Sequence, residues 1–235
     1  MRLASADGSF TVTGAGEVGQ EFRHGSSSRD QLSPGRDWVE VLANGLAFDL
    51  AGLSSGPACP DPAQAYSYGF VTPPAEGVEA ITMQPGPHLS GGGAMPPVVR
   101  CLAWLGAKLA ELPGAQAVAW HPARSWSSPD YYRRSIIRWI EGGVFPGLGL
   151  TALAQVDGGG MRSEGLRLFI GRELQVDAGV ASNEADLAKI SLRLLHWLVE
   201  SGGPDEPVSL TGPSGESLEM TCLPGGEYIG VRRTG

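Results

Sequence analysis

The chain has 235 residues, 42% of them hydrophobic, includes 35 glycines and 18 prolines, and carries a formal charge of −8. That length and apolar content suffice for a full core, as a single domain over 1–235 or as two intimately packed halves, roughly 1–114 and 115–235. Net acidity argues against a nucleic-acid partner, whose binding needs Lys and Arg to release counterions, and no apolar run approaches the ~20 residues that span a bilayer.

Met1 to Gly8 contains no apolar signal segment, so the expected location is the cytoplasm. Cys59, Cys101 and Cys222 are sparse and odd in number, which argues against a disulfide framework and against structural zinc. Cys101 falls on a predicted helix and is expected as a small core residue.

The first expected element is a short strand, where Phe10 and Val12 alternate with Thr11 and Thr13. Gly14-Ala15-Gly16-Glu17-Val18-Gly19 then matches GxGxxG. A dinucleotide site needs the third glycine to open a helix, and here Gln20 to His24 runs straight into Gly25 and three serines, so the segment reads as a turn. Trp38 to Leu42 and Leu46 to Leu50 flank Asn44-Gly45, a pair that tolerates the positive φ of a type I′ turn, and a β-hairpin is expected. Val78 to Met83 is a further strand candidate.

Three amphipathic helices follow. The first opens at Pro96-Pro97, carries Val98, Leu102, Leu105, Leu109 and Leu112 on one face, and ends at Pro113-Gly114. The second is capped by Ser128 with Pro129 behind it, turns Tyr132, Ile136, Trp139 and Ile140 inward, and stops at Gly142-Gly143. The third is capped by Ser182 or Asn183 and carries the stripe Leu187, Ile190, Leu194 and Leu198. Ala117 to Trp120, Leu148 to Val156, Glu173 to Val176, Val208 to Leu210, Leu218 to Cys222 and Tyr228 to Arg232 are expected strands. The sum is an α+β fold, an antiparallel or mixed sheet with about three helices packed on one face.

No cofactor or metal signature is present. His24, His88, His121 and His196 show no ligand spacing. Pro87-His88-Leu89-Ser90-Gly91-Gly92-Gly93, before the first helix, offers a ligand loop of His88, Ser90, Gly91 and Gly92 in which backbone N–H groups would hold an anion. The two prolines that follow remove donors such a site wants. His121 and Ser125 stand four apart in Trp120-His121-Pro122-Ala123-Arg124-Ser125-Trp126, but no nucleophile elbow accompanies them. Glu164 and Glu173 would supply acid/base chemistry if they converged, although Glu173 also suits capping a strand or pairing with arginine. Arg133, Arg134 and Arg138 read as a solvated helix face.

Between residues 120 and 139 aromatic and arginine side chains concentrate, and these are the types enriched at interface hot spots. The binding candidates there are Trp120, Trp126, Tyr131, Arg133 and Arg134, with Trp126 expected to be the most exposed.

The C-terminal half resembles a known family. Gly165-Leu166-Arg167-Leu168-Phe169-Ile170-Gly171-Arg172-Glu173-Leu174-Gln175-Val176, followed by a helix and a terminal hairpin, is similar to the bacterial DUF4261 family, a domain of unknown function. Upstream, the amphipathic helix, the strand Ala117 to Trp120 and the Ser/Pro-initiated helix with its tyrosines also match, so that residues 78–222 are covered. The chain departs by placing Ile170 between Phe169 and Gly171 and Gln175 where the family is acidic. The resemblance supplies no catalytic residue and implies an accessory or interaction role. The expectation is a non-enzymatic, accessory or immunity-type protein that binds a protein partner. The alternative is a small-ligand binder or hydrolase using His88 or His121 with Ser125.

Overall fold

The computed structural model describes residues 10–16, 38–55, 64–75, 77–89, 91–213 and 215–234. The fold is α+β, with antiparallel and mixed sheets and helices against them. The chain divides into two compact units, 1–62 with 72–116, and 63–71 with 117–235.

The first unit is a four-stranded antiparallel sheet in the order β1 (Phe10–Gly16), β2 (Trp38–Ala43), β3 (Leu46–Ala51), β5 (Thr82–Pro85), with helix α1 (Pro96–Leu109) against it. Asn44 and Gly45 both have positive φ, 51° and 77°, so the β2–β3 hairpin closes on the two-residue turn that the sequence announces. Val41, Ala43, Phe48 and Leu50 pack with Val98, Cys101 and Leu105 of α1, while Leu102 and Leu109 are half-buried at the margin. Cys101 is buried in this core. The expected strand at 78–83 lies further along, at Thr82–Pro85, where Pro85 sits on an edge strand that does not need its missing N–H.

The second unit holds a six-stranded sheet in the order β11 (Val208–Thr211), β12 (Ser217–Cys222), β13 (Tyr228–Arg233), β10 (Glu173–Val176), β9 (Met161–Glu164), β8 (Ala152–Gln155). Its one parallel pairing, β10 with β13, makes it mixed. Helix α5 (Glu184–Ser201) is capped by Asn183, whose side-chain oxygen accepts from the Asp186 N–H at 2.9 Å. It lays Leu187, Ile190, Leu194, Leu195 and Leu198 over Leu174, Val176, Leu218, Met220, Ile229 and Val231. Burying each such aliphatic side chain contributes about 1.5–3 kcal/mol.

A three-stranded sheet in the order β4 (Tyr66–Tyr68), β7 (Ser125–Ser127), β6 (Val118–Trp120) completes the unit, with β4 parallel to β7. Helix α2 (Pro129–Ile140) opens on the Ser128 cap and Pro129 and buries Tyr132, Ile136 and Trp139. The apolar run expected as a strand from Leu148 forms β8 only from Ala152. Its first part, the turn α3 (Gly147–Leu150), is interrupted by non-helical backbone at Leu148 and Gly149. Gly149 has φ 113°, which ends any ladder there. A second short helix, α4 (Arg167–Ile170), follows β9. Among the described residues no helix is long and apolar enough to cross a membrane.

Candidate functional site

The segment from Trp120 to Trp126 folds as a tight hairpin. Pro122 starts a 3-10 turn over His121–Ala123, and Arg124 then takes the left-handed conformation, φ 46° and ψ 42°. A non-glycine residue there costs about 1–2 kcal/mol, and its neighbours hold it in place. The Arg124 N–H donates to the His121 carbonyl at 3.0 Å, and the Arg124 carbonyl accepts from the N–H groups of Ala65 and Tyr66 at 2.8 and 3.2 Å. Those two bonds begin the parallel pairing of β4, so the strained arginine is where a segment some sixty residues distant in the chain is attached.

The same arginine organises the side chains. Its Nε lies 3.4 Å from Oε1 of Glu164, at the end of β9, and the Tyr66 hydroxyl donates to the same carboxylate. Burial and the Glu164 carboxylate, by hydrogen bond and by charge, raise the Tyr66 phenol above its usual range, with Arg124 opposing. The Arg124 side chain is 56% exposed and that of Glu164 31%. Tyr66, Arg124 and Glu164 therefore meet at solvent from three separate segments of the chain.

Behind them Glu173 has a different task. Its carboxylate accepts from the Ser163 hydroxyl at 2.5 Å and from the backbone N–H groups of Gly165, Leu166 and Arg167 at 3.0, 3.2 and 3.1 Å. Ser163 Oγ in turn accepts from the Leu174 N–H at 2.8 Å. Glu173 thus fastens β10 to the first turn of α4, while Glu164 turns toward Arg124 and Tyr66. The two carboxylates do not form an acid/base pair.

The aromatic and arginine candidates are dispersed. Trp120 pairs with Ser125 and Ala119 with Trp126 across β6 and β7, so the pleat sends Trp120 and Trp126 to opposite faces of the three-stranded sheet. Trp120 is buried, with no hydrogen-bond partner for its indole N–H among the described residues. Trp126, expected in an exposed loop, is instead a half-buried residue of a strand. Tyr131 stacks on Tyr68 with ring centres 6.0 Å apart and donates to the Leu148 carbonyl at 3.1 Å. Burial pushes Tyr68 up to about 12, with the neighbouring Tyr131 and Tyr66 adding to it. Arg133 pairs with Asp130 at 3.8 Å, and the exposed Arg134 donates to the Asp130 carbonyl at 3.2 Å.

The alternative sites are consumed by local bonding. Ser125 is buried and donates its hydroxyl to the Gly149 carbonyl at 2.5 Å, while His121 is exposed, and no hydrogen bond joins them among the described residues. Thr151 donates to the Gly147 carbonyl, so hydroxyls from Thr151, Tyr131 and Ser125 hold three successive carbonyls, those of 147, 148 and 149. Ser127, Tyr131, Ser135 and Leu148 to Leu150 line a crevice with no room for even a water-sized molecule, far short of the ~300–1,000 Å3 of ordinary small-molecule sites. His88 is exposed in a 3-10 turn, and Ser90 lies outside the described residues. The Gly92 N–H is spent on the Leu89 carbonyl and the Met95 N–H on Gly92. At the helix start, Val98 and Val99 donate to Met95, and Pro96 and Pro97 have no N–H. An anion at Gly91-Gly92 would find few donors. Among the described residues no group of three or more His, Cys, Asp or Glu could hold a metal ion. His24, Cys59 and the second half of the GxGxxG match, 17–19, lie outside the described residues.

His196, read from the sequence as a helix-flank residue, packs on the Phe145 to Leu150 segment. Its ring meets Phe145 edge-on at 6.3 Å, and its Nε2 lies 2.9 Å from where a Cβ on Gly147 would stand. Burial lowers its pKa, with Glu200 on the same helix opposing. The facing segment carries no ionisable side chain. The unfolded chain therefore binds the proton more readily, and stability falls as pH drops from the ordinary value of 6.5 toward the lowered folded value. Urea midpoints measured through this window should decline, and His196→Gln should flatten that decline.

The fold and this site define a two-unit α+β protein with a solvent-facing Tyr–Arg–Glu cluster on its second unit. No family model, no curated protein and no solved structure matches the chain.

Proposed function

We propose that the chain is a non-enzymatic, accessory or immunity-type protein of the cytoplasm, related to the DUF4261 family, and that it binds a protein partner through Tyr66, Arg124 and Glu164. One observation carries this reading. A left-handed arginine, a tyrosine and a carboxylate from three distant segments converge at the surface, where Tyr and Arg are the residue types that dominate binding energy. The hydroxyls that a hydrolase would use, Ser125 above all, are instead tied to carbonyls.

The test is co-purification from the native host with wild-type and Arg124→Glu bait, both shown by circular dichroism to be folded. A stoichiometric partner retained by the wild type should bind the variant about thirtyfold more weakly, the ~2 kcal/mol expected of a hot spot. Equal retention by both baits, or no stoichiometric partner for either, would sink the proposal.

A further inference from the structure

The chain contains only two asparagines, Asn44 and Asn183, and they stand in opposite chemical situations. Asn44 is exposed at the tip of the β2–β3 hairpin and is followed by Gly45, around which an added Cβ would meet nothing within 4 Å. With no side chain on residue 45, nothing shields its backbone nitrogen from the Asn44 side-chain carbonyl. Asn183 is followed by Glu184, and both ends of its amide are engaged. Its oxygen accepts from the Asp186 N–H at 2.9 Å, and its nitrogen donates to the Asp186 carboxylate at 2.8 Å.

We propose that Asn44 is a self-modification site, at which the Gly45 nitrogen displaces ammonia from the Asn44 amide at a rate set by opening of the hairpin. The Gly45 nitrogen attacks the Asn44 side-chain carbonyl carbon. A C–N bond forms, the C–NH2 bond breaks, and the Gly45 proton leaves with the departing ammonia. Water then opens the resulting five-membered imide at one of its two carbonyls, giving aspartate or isoaspartate, with no oxidant or reductant involved.

The closed turn opposes this attack. Positive φ at both residues fixes the peptide between them in the type I′ geometry, and the Asn44 Nδ2 is directed to the Cys101 sulfur, 3.8 Å away. The reaction therefore requires the Ala43–Leu46 end of the ladder to fray first. Its products disturb the first unit. A carboxylate replaces the amide donor beside Cys101, a buried thiol that itself donates to the Ala43 carbonyl at 3.5 Å. Isoaspartate also adds a backbone methylene to a turn that has room for two residues.

The full chain is incubated in mildly alkaline buffer, once native and once unfolded in urea, and its peptides are followed by mass. A gain of about 1 Da marks NH2 replaced by OH, and Asn44→Asp provides the standard for the aspartate product. The expected result is conversion at Asn44 and not at Asn183 in the unfolded chain, slowed at least about tenfold in the native chain. No conversion at Asn44 in urea, or conversion of Asn183 at a matching rate, would refute the site. Equal rates in native and unfolded chains would refute control by the hairpin.

Discussion

Gly165→Ala should destabilise the protein by about 3 kcal/mol, the combined effect of a left-handed backbone and a steric overlap. Gly165 has φ 91°, a conformation that a Cβ penalises by about 1–2 kcal/mol. The added carbon would also stand 2.8 Å from Ala123 Cβ, 2.9 Å from Ala123 Cα and 3.1 Å from its nitrogen. Ala123 belongs to the 3-10 turn, so most of what must yield is backbone. Overpacking of this kind costs about 1–3 kcal/mol more. Urea denaturation should show the loss as a lower midpoint at unchanged slope. Because the displaced turn leads directly into Arg124, the variant should also weaken the Tyr66–Arg124–Glu164 cluster. Gly171, with φ 77° but open space around its missing Cβ, is the control: Gly171→Ala incurs the backbone penalty without the overlap. Equal losses at the two glycines would mean that the approach of Ala123 is not tight.

Glu173→Ala should cost about 3 kcal/mol, and Glu164→Ala less than about 1 kcal/mol. Glu173 receives four hydrogen bonds, three from consecutive backbone N–H groups. Removing it leaves the α4 turn without acceptors, a loss graded by the charged hydrogen bonds it breaks. Glu173→Gln restores one oxygen but turns an NH2 group toward N–H donors, so it should recover part of the loss and not all of it. Glu164 makes a half-exposed ion pair, of the kind that water screens. Its substitution should be felt in partner binding and scarcely in folding. Denaturation of all three variants separates the two roles. If Glu164 proves the costlier residue, the assignment of structural and surface carboxylates is inverted.

The difference between these carboxylates was not legible in the sequence. Both flank the stretch from Gly165 to Gly171 and either could have been the acid or the base. Their separation depends on β9 ending at Glu164, so that its side chain meets Arg124, while β10 starts at Glu173 beside the α4 turn. Trp126 was misplaced for a related reason. Ser125-Trp126-Ser127 has too little apolar alternation to read as a strand, and it becomes one because β6 and β4 supply partners on both sides. The apolar run from Leu148 carried the opposite error. Its composition suits a strand, yet Gly149 at φ 113° and three hydroxyl donors hold its first part as a turn.

By itself the sequence determined the features whose causes lie within a few residues or within one period: the Asn44-Gly45 hairpin, the Ser128 cap, and the apolar stripes of the three long helices, in α1 as far as Leu109. The expected last member of that stripe, Leu112, lies past the helix end, and the choice of Asn183 over Ser182 as the α5 cap came from the structure. Capping, turn conformation and amphipathic spacing are set by neighbours at most four positions apart, so the letters suffice. Only the tertiary structure decided that β4 lies parallel to β7, that β10 lies parallel to β13, and that Tyr66, Arg124 and Glu164 meet. Those pairings join residues about forty to a hundred positions apart, and the energies that select them arise only when the intervening chain has folded.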